Sequence, residues 1–383
     1  MKSLIVKLYC FVMVVLLSSF LFAQDDVEKK EVHQFTIPHN VNTTPVKNQG
    51  KTGTCWSFAT QSFLETELLR MGKDEYDLSE MYIVRNLYPL KAEKYIRYHG
   101  LTNFGDGGQA HDVMIALEKF GAVPEEVYPG RKSSEEKHNH SEMIAVLKAS
   151  MDAVINTNGK ITGNWKKVCE SVLDIYLGEI PESFEYNGKE YTPKSFADEL
   201  GINPDDYVEI TSYKRYPFYE KTVLEVPDNW TNSEYYNVPI DDMMSIIDNA
   251  IKNGYSVAWD GDTSEKTFYR KKGYAVIPVD YENEDKESEK LLPEKEKIIT
   301  QEMREETFDN FQTTDDHLMQ LTGIAENQDG TKFYYTKNSW GTKYMYDGYW
   351  YLSESFVKLK TIAIMVHKDA IPEDIKTSLG IIP

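Results

Sequence analysis

The hydrophobic period of this chain changes once, and that change limits the folds open to it. In the first part of the sequence, the clearest apolar patterns recur every three or four residues, the spacing of one helix face. From Ser256 onward, short apolar bursts take over at 256–259, 274–277, 318–325, 332–338, 348–352 and 361–367. These read as strands, and an Asp329-Gly330 turn joins the third and fourth of them. A chain that separates helices from strands in this way reads as α+β, with helices packed against an antiparallel sheet. At 383 residues it also exceeds the ~250–300 at which a single core stops growing, so two packed sub-domains are expected.

Several helices can be placed individually. One opens near Cys55 and runs to Leu69, with Gly72 just beyond it. A second starts at Asp77 or Ser79, where Glu80 completes a capping box from Asp77, and it carries Met81, Val84 and Leu87 on one side. A third runs from about Gln109 to Phe120 through Val113, Met114 and Leu117, and stops at Gly121 ahead of Pro124. Residues 131–180 are charged and helical in period, whereas 181–240 mix proline, asparagine and aromatic residues without a clear pattern. Residues 241–253 form another short helix, ended by Gly254, and the acid-rich tract at 280–306 reads as a solvated helix or loop.

The N-terminus reads as a secretory signal. Lys2 and Lys7 flank the start of an unbroken apolar run at 8–17, small and apolar residues continue to Ala23, and Gln24-Asp25-Asp26 follow. The run is shorter than the ~20 apolar residues a bilayer span needs. Cleavage near Ala23 is therefore expected, giving a secreted or periplasmic protein with no membrane attachment once the signal is removed. Such a product would keep only Cys55 and Cys169, too few for a disulfide scaffold. Cys169 lies in an amphipathic stretch with Trp165, Val168, Val172 and Leu173 and reads as a buried, inert thiol. With 42 Lys and Arg against 62 Asp and Glu, the formal charge of −20 repels phosphate backbones, so no nucleic-acid partner is expected. No phosphate-binding or dinucleotide glycine motif is present. The one histidine pair at close spacing, His138-Asn139-His140, reads as a solvated loop rather than a metal site, and no cofactor is expected. Asn42, Asn139 and Asn229 each fit the glycosylation acceptor pattern.

Three short stretches carry chemistry. In the first, Gln49 to Trp56, a cysteine stands at a helix start, where the dipole and unpaired backbone N–H groups favour its thiolate. Gly50 and Gly53 permit a tight loop, and the Gln49 amide can hold the oxyanion formed when the thiolate attacks a carbonyl. In the second, Asp315-Asp316-His317, a histidine opens a strand and can serve as partner base and as proton donor to the leaving amine. In the third, Asn338-Ser339-Trp340-Gly341 closes the same hairpin. Its asparagine can orient His317, and Trp340 can shield that hydrogen bond from water.

With these residues in this order, the sequence resembles the papain-like cysteine peptidases, within them the bleomycin hydrolase and aminopeptidase C branch. The branch-level likeness extends to Asp106-Gly107-Gly108-Gln109, Glu118-Lys119-Phe120-Gly121, Leu177-Gly178-Glu179-Ile180-Pro181, Thr307-Phe308-Asp309-Asn310 and Thr313-Thr314-Asp315-Asp316-His317. The resemblance implies an α+β, two-domain fold: a helical left domain, an antiparallel β-rich right domain, a cleft between them and a largely helical insertion. On this chain the parts would be a leader at 1–23, an extension and helical sub-domain at 24–130, the insertion at 131–240, a β-rich sub-domain at 241–368 and a tail at 369–383. Cys55 would be the nucleophile, His317 the general acid and base, Asn338 its orienter and Gln49 part of the oxyanion hole. Gly107, Gly108 and Trp340 would contact the peptide substrate. The insertion would build homo-oligomer contacts, and the tail would lie in the cleft and restrict cleavage to free amino ends. An endopeptidase with the same centre, or an inactive peptide-binding scaffold, are the alternatives.

Overall fold

A tight loop at 44–54 hands over to the first helix, and the helical part of the chain is built outward from there. A computed structural model describes residues 34–131, 133, 137–279 and 295–381. The expected leader, most of the acid-rich tract and the last two residues lie outside these. After the short strand β1 (Phe35–Asn40) come α1 (Cys55–Arg70), α2 (Glu80–Arg97) and α3 (Ala110–Phe120). α1 is buried on nearly every side, as a helix running between two layers must be. Ser79 rather than Asp77 caps α2, accepting from the Tyr82 N–H at 3.0 Å. Glu80 turns away from the cap to bind Lys47 at 2.7 Å, so the expected capping box does not form. A box does form on α3, between Gln109 and Asp112.

Helices α4 (Ser141–Ile155) and α5 (Asn164–Leu177) follow, and Cys169 is fully buried between them and α2 as a free thiol. Then come the hairpin β2 (Phe184–Tyr186) and β3 (Lys189–Tyr191), α6 (Pro193–Leu200), β4 (Tyr207–Thr211), β5 (Glu220–Val223) and β6 (Glu234–Asn237). The expected helical insertion at 131–240 is thus helical only in its first part. Its second part supplies β4, β5 and β6, which extend the main sheet. The aromatic and β-branched content of 207–237 hid this behind the Pro and Asn residues that also crowd it.

The rest is α7 (Ile240–Lys252), β7 (Val257–Gly261), β8 (Phe268–Tyr269), β9 (Tyr274–Ala275), α8 (Gln301–Asp309), β10 (His317–Asn327), β11 (Lys332–Lys337), β12 (Tyr349–Ser353), α9 (Glu354–Lys360), β13 (Thr361–His367) and α10 (Glu373–Leu379). Among the described residues, the sheet runs β5-β6-β4-β13-β7-β10-β11-β12-β9-β8, with β1 also paired to β10. Alternation along β7 and β10 divides the core, because successive side chains leave opposite faces of a strand. Ala258 and Leu318 pack with the helices α1 to α5, whereas Val257, Trp259, Met319 and Leu321 pack with α7. The C-terminal tail joins the α7 side: Ile375, Leu379 and Ile381 pack there, and Asn249 of α7 donates to the Ala370 carbonyl at 2.8 Å. As far as Ile381, the tail therefore does not lie on the α1 side where Cys55 stands. No described helix is long and apolar enough to cross a membrane.

Candidate active site

Backbone pairing brings the first and third stretches together. Gln49 N–H donates to the Ser339 carbonyl at 2.8 Å and Gly341 N–H to the Lys47 carbonyl at 3.0 Å. The loop is held from behind as well: Lys51 N–H donates to the His138 carbonyl at 2.8 Å, and the Lys51 carbonyl accepts from His140 N–H at 3.2 Å. Gly50 has φ +67°, and a β-carbon there would strike the His138 carbonyl, so only glycine fits. Both imidazoles of that segment are buried, which corrects the expectation of a solvated loop. Among the described residues, no group of three or more His, Cys, Asp or Glu is arranged to hold a metal ion. Asn229 is buried too, with its amide bonded to Leu224 and Ser233, so it cannot be a glycan acceptor in the folded chain.

Cys55 is the first residue of α1 and 8% exposed. No side chain caps this end and no acid occupies its first turn, so the helix N-terminus is unopposed in favouring an anion. The backbone N–H of Leu318, the neighbour of His317, favours the anionic form of this thiol. His317 opens β10 opposite Gly261 and is 5% exposed. Its Nε2 lies 2.8 Å from Asn338 Oδ1, and Ser339 N–H donates to the same oxygen at 2.7 Å. An amide oxygen only accepts, so Nε2 carries the proton and Nδ1 is left as the base of the ring. The Trp340 ring stacks on the imidazole with centroids 4.7 Å apart, and the Arg270 guanidinium sits 4.9 Å over Trp340.

Burial pushes the Cys55 thiol up, the Leu318 N–H opposes this, and the carboxylates of Asp260, Asp315 and Asp228 add like-charge repulsion. Burial likewise pushes His317 down to about 4, against the pull of its Asn338 hydrogen bond. Burial therefore opposes both the thiolate and the imidazolium when each is taken alone. Each charge is disfavoured by itself, but transfer of one proton creates both together and lets them offset each other.

Gln49 is tied in place at both ends of its amide. Its Oε1 accepts from Ser339 Oγ at 2.6 Å, and its Nε2 donates to the Thr52 carbonyl at 2.8 Å. One of the two Nε2 hydrogens is thus spent within the loop. Asp106 clamps the other side: its carboxylate accepts from Gly53 N–H at 2.6 Å, and its carbonyl accepts from Trp56 Nε1 at 2.9 Å. Gly107 and Gly108 follow, but neither presents an open face. A β-carbon on Gly107 would collide with the Asp228 carboxylate, and one on Gly108 with Asp112 and Trp56.

The carboxylates around Cys55 were not foreseen from sequence, Asp315 aside, which was quoted only as part of the histidine stretch. Asp260 gave a usable signal, being the lone acid in the apolar strand 257–261. A buried charge in such a strand always needs explaining. Asp228 gave none, because it arrives from a loop with no readable period.

The aminopeptidase C of Listeria monocytogenes is 26% identical over 406 residues, spanning 92% of this chain and 87% of that protein. The bleomycin hydrolase of Gallus gallus is 25% identical over 397 residues, spanning 90% and 84%. The crystal structure of pepw from Lactobacillus rhamnosis superposes with a TM-score of 0.72 at 21% identity, over 90% of this chain and 84% of that one. That likeness shows a shared fold. The Peptidase C1-like family model matches residues 89–381. Since this is well over half of the chain, the protein belongs to that family and is a papain-like C1 cysteine peptidase.

Proposed function

We propose that the protein is an exported cysteine aminopeptidase working through Cys55, His317 and Asn338. One observation carries this reading: the His317 imidazole is held by Asn338 Oδ1 at 2.8 Å, and the backbone N–H of Leu318 beside it favours the anionic form of the Cys55 thiol. His317 Nδ1 takes the thiol proton as the sulfur attacks the scissile carbonyl carbon, forming a C–S bond. The carbonyl oxygen becomes an oxyanion at the mouth of α1, where the Cys55 backbone N–H and the remaining Gln49 Nε2 hydrogen can hold it. His317 returns its proton to the amine as the C–N bond breaks, leaving a thioester. Water then adds to the thioester carbon while His317 accepts its proton, and the thiol leaves as the acid product forms.

The choice of aminopeptidase over endopeptidase is supported by relatives that bear the name aminopeptidase C. Export is supported by the leader-like run before Gln24. As a test, Cys55→Ala should abolish turnover of aminoacyl fluorogenic amides, and near-wild-type turnover would refute the nucleophile. Wild-type enzyme should prefer a free amino end to an acetylated one, and equal cleavage of both would remove the exopeptidase assignment. Protein recovered from outside the cytoplasm should begin near Gln24; finding only intact chain inside the cell would remove the export claim.

A further inference from the structure

Three carboxylates converge on the Cys55 thiol: Asp260, Asp315 and Asp228 all raise its proton affinity. They come from three separate parts of the fold. Asp260 lies near the end of β7, Asp315 precedes β10, and Asp228 reaches in from the loop between β5 and β6. Among the described residues, no cation is lodged between them. Lys91, which Asp228 feels, gives its ammonium hydrogens to the carbonyls of Gly105 at 2.8 Å and of Gly107. Arg270 lies over Trp340, on the Asp316 side, and Lys360 is bound to Glu265 and the Gln312 carbonyl.

Asp260 is the sharpest of the three. It is 3% exposed, yet among the described residues no N–H or O–H donor reaches either carboxylate oxygen. Burial, and after it the charge of Asp315, raise its proton affinity. By strand alternation with Ala258, it faces the helix side, where Cys55 stands. Asp315 and Asp228 are half-buried and hold one neutral donor each, Gln109 Nε2 at 2.7 Å and Asn103 Nδ2 at 2.6 Å. A buried acid group left without donors is costly and opposes thiolate formation next to it. A cation arriving with the substrate would remove both penalties.

Asp228 adds a steric argument. Its carboxylate covers Gly107, a glycine that the family resemblance places against the substrate. A chain passing that point would have to displace a charged group, whereas a chain ending there would meet it with its terminus.

We propose that Asp228, Asp260 and Asp315 form the anchor for the free α-ammonium group of the substrate, so that acidic side chains close the cleft one residue beyond the scissile bond. This rests on the aminopeptidase reading above and names the residues that impose it. The ammonium supplies up to three N–H donors, enough to bond Asp260 and one oxygen of each neighbour.

The test compares leucyl, N-acetyl-leucyl and α-hydroxy-isocaproyl coumarin amides, which differ in the group at the α-position. For wild type, kcat/KM on the free amine should exceed that on the uncharged hydroxyl isostere by about ten- to a hundredfold. In Asp228→Asn, that ratio and the free-to-acetylated ratio should both shrink by a similar factor. If Asp228→Asn slows all three substrates equally, the residue only supports the fold and the anchor is refuted. If wild type prefers free amines but accepts the hydroxyl isostere equally well, the anchor is refuted while the aminopeptidase reading survives. If wild type cleaves the acetylated substrate as fast as the free one, that reading fails and takes the anchor with it.

Discussion

Gln320 and Asp260 look toward α1 from adjacent strands, and they are treated in opposite ways. The Gln320 amide is satisfied throughout: its oxygen accepts from Ser62 Oγ at 2.7 Å, and its nitrogen donates to Thr66 and Ser256 at 2.8 and 2.9 Å. The network continues through Lys337, which donates to Ser62 and Thr44, and from Thr44 to Glu65 at 2.6 Å. Glu65 in turn takes Lys47 and the Leu78 N–H. Donors and acceptors match along this seam, and it fastens α1 to β10 and β11 without leaving a charge unanswered. Around Asp260, a strand away, acids face acids. Stability explains the seam, whereas the acid cluster costs stability and needs a ligand to account for it.

If the contrast is sound, damage on the two sides should separate rate from stability. The largest effect belongs to the site. His317→Ala should lower kcat/KM on aminoacyl amides by about 10²–10⁴-fold, the usual contribution of a positioned acid-base group, with the melting temperature nearly unchanged. A loss under about tenfold would remove His317 from the chemistry. The seam should answer in the reverse sense. Glu65→Ala leaves the buried Lys47 ammonium with Glu80 and an exposed Asp77, and should cost roughly 3–5 kcal/mol. Molecules that remain folded should keep wild-type turnover, and thermal melts with activity normalised to folded protein would show both.

Much of this was legible in the sequence because it depends on short-range pattern. The helix at Cys55, the hairpin that carries His317 and Asn338, and the helix end at Gly121 are all written in periods and caps a few residues long. The Asn338–His317 hydrogen bond follows once 317 and 338 are placed on paired strands. What escaped was set by distant packing. The seam joins residues 44, 62, 65, 320 and 337, and nothing near Lys337 announces that it points inward at Ser62. The strand β4 is defined by pairing with β13 far along the chain, and β6 and β5 are added to it in turn. The thiol's surroundings escaped for the same reason: the dipole of α1 is local, whereas burial and three distant acids push the thiol up.

The acids also predict a pH dependence. Burial raises Asp315 from 3.8 to about 8, with Asp228 adding repulsion. A carboxyl whose native pKa lies above its unfolded value keeps its proton in the folded state where the unfolded chain has lost it. Its stabilisation is therefore complete below the unfolded pKa and is lost as pH rises through the native one. Melting temperature should fall as pH is raised across that window, and the fall should be shallower in Asp315→Asn. An unchanged slope in the variant would show that Asp315 ionises freely in the empty pocket and is not held in its neutral form.

The smallest effect should come from the seam's own lysine. Burial lowers Lys337 to about 8, so its charge is already weakly held, and Met is close to it in length. Ser62 and Thr44 send their own hydroxyl hydrogens to Gln320 and Glu65. Removing Lys337 therefore deprives them of an incoming donor but strands none of their own. Lys337→Met should change stability by no more than about 1 kcal/mol, because an apolar side chain of matched shape escapes the desolvation that a buried ammonium suffers. A loss as large as that of Glu65→Ala would mean that Glu65 depends on Lys337 as well as on Lys47. The seam would then act as one charge network, a property it would share with the acid cluster.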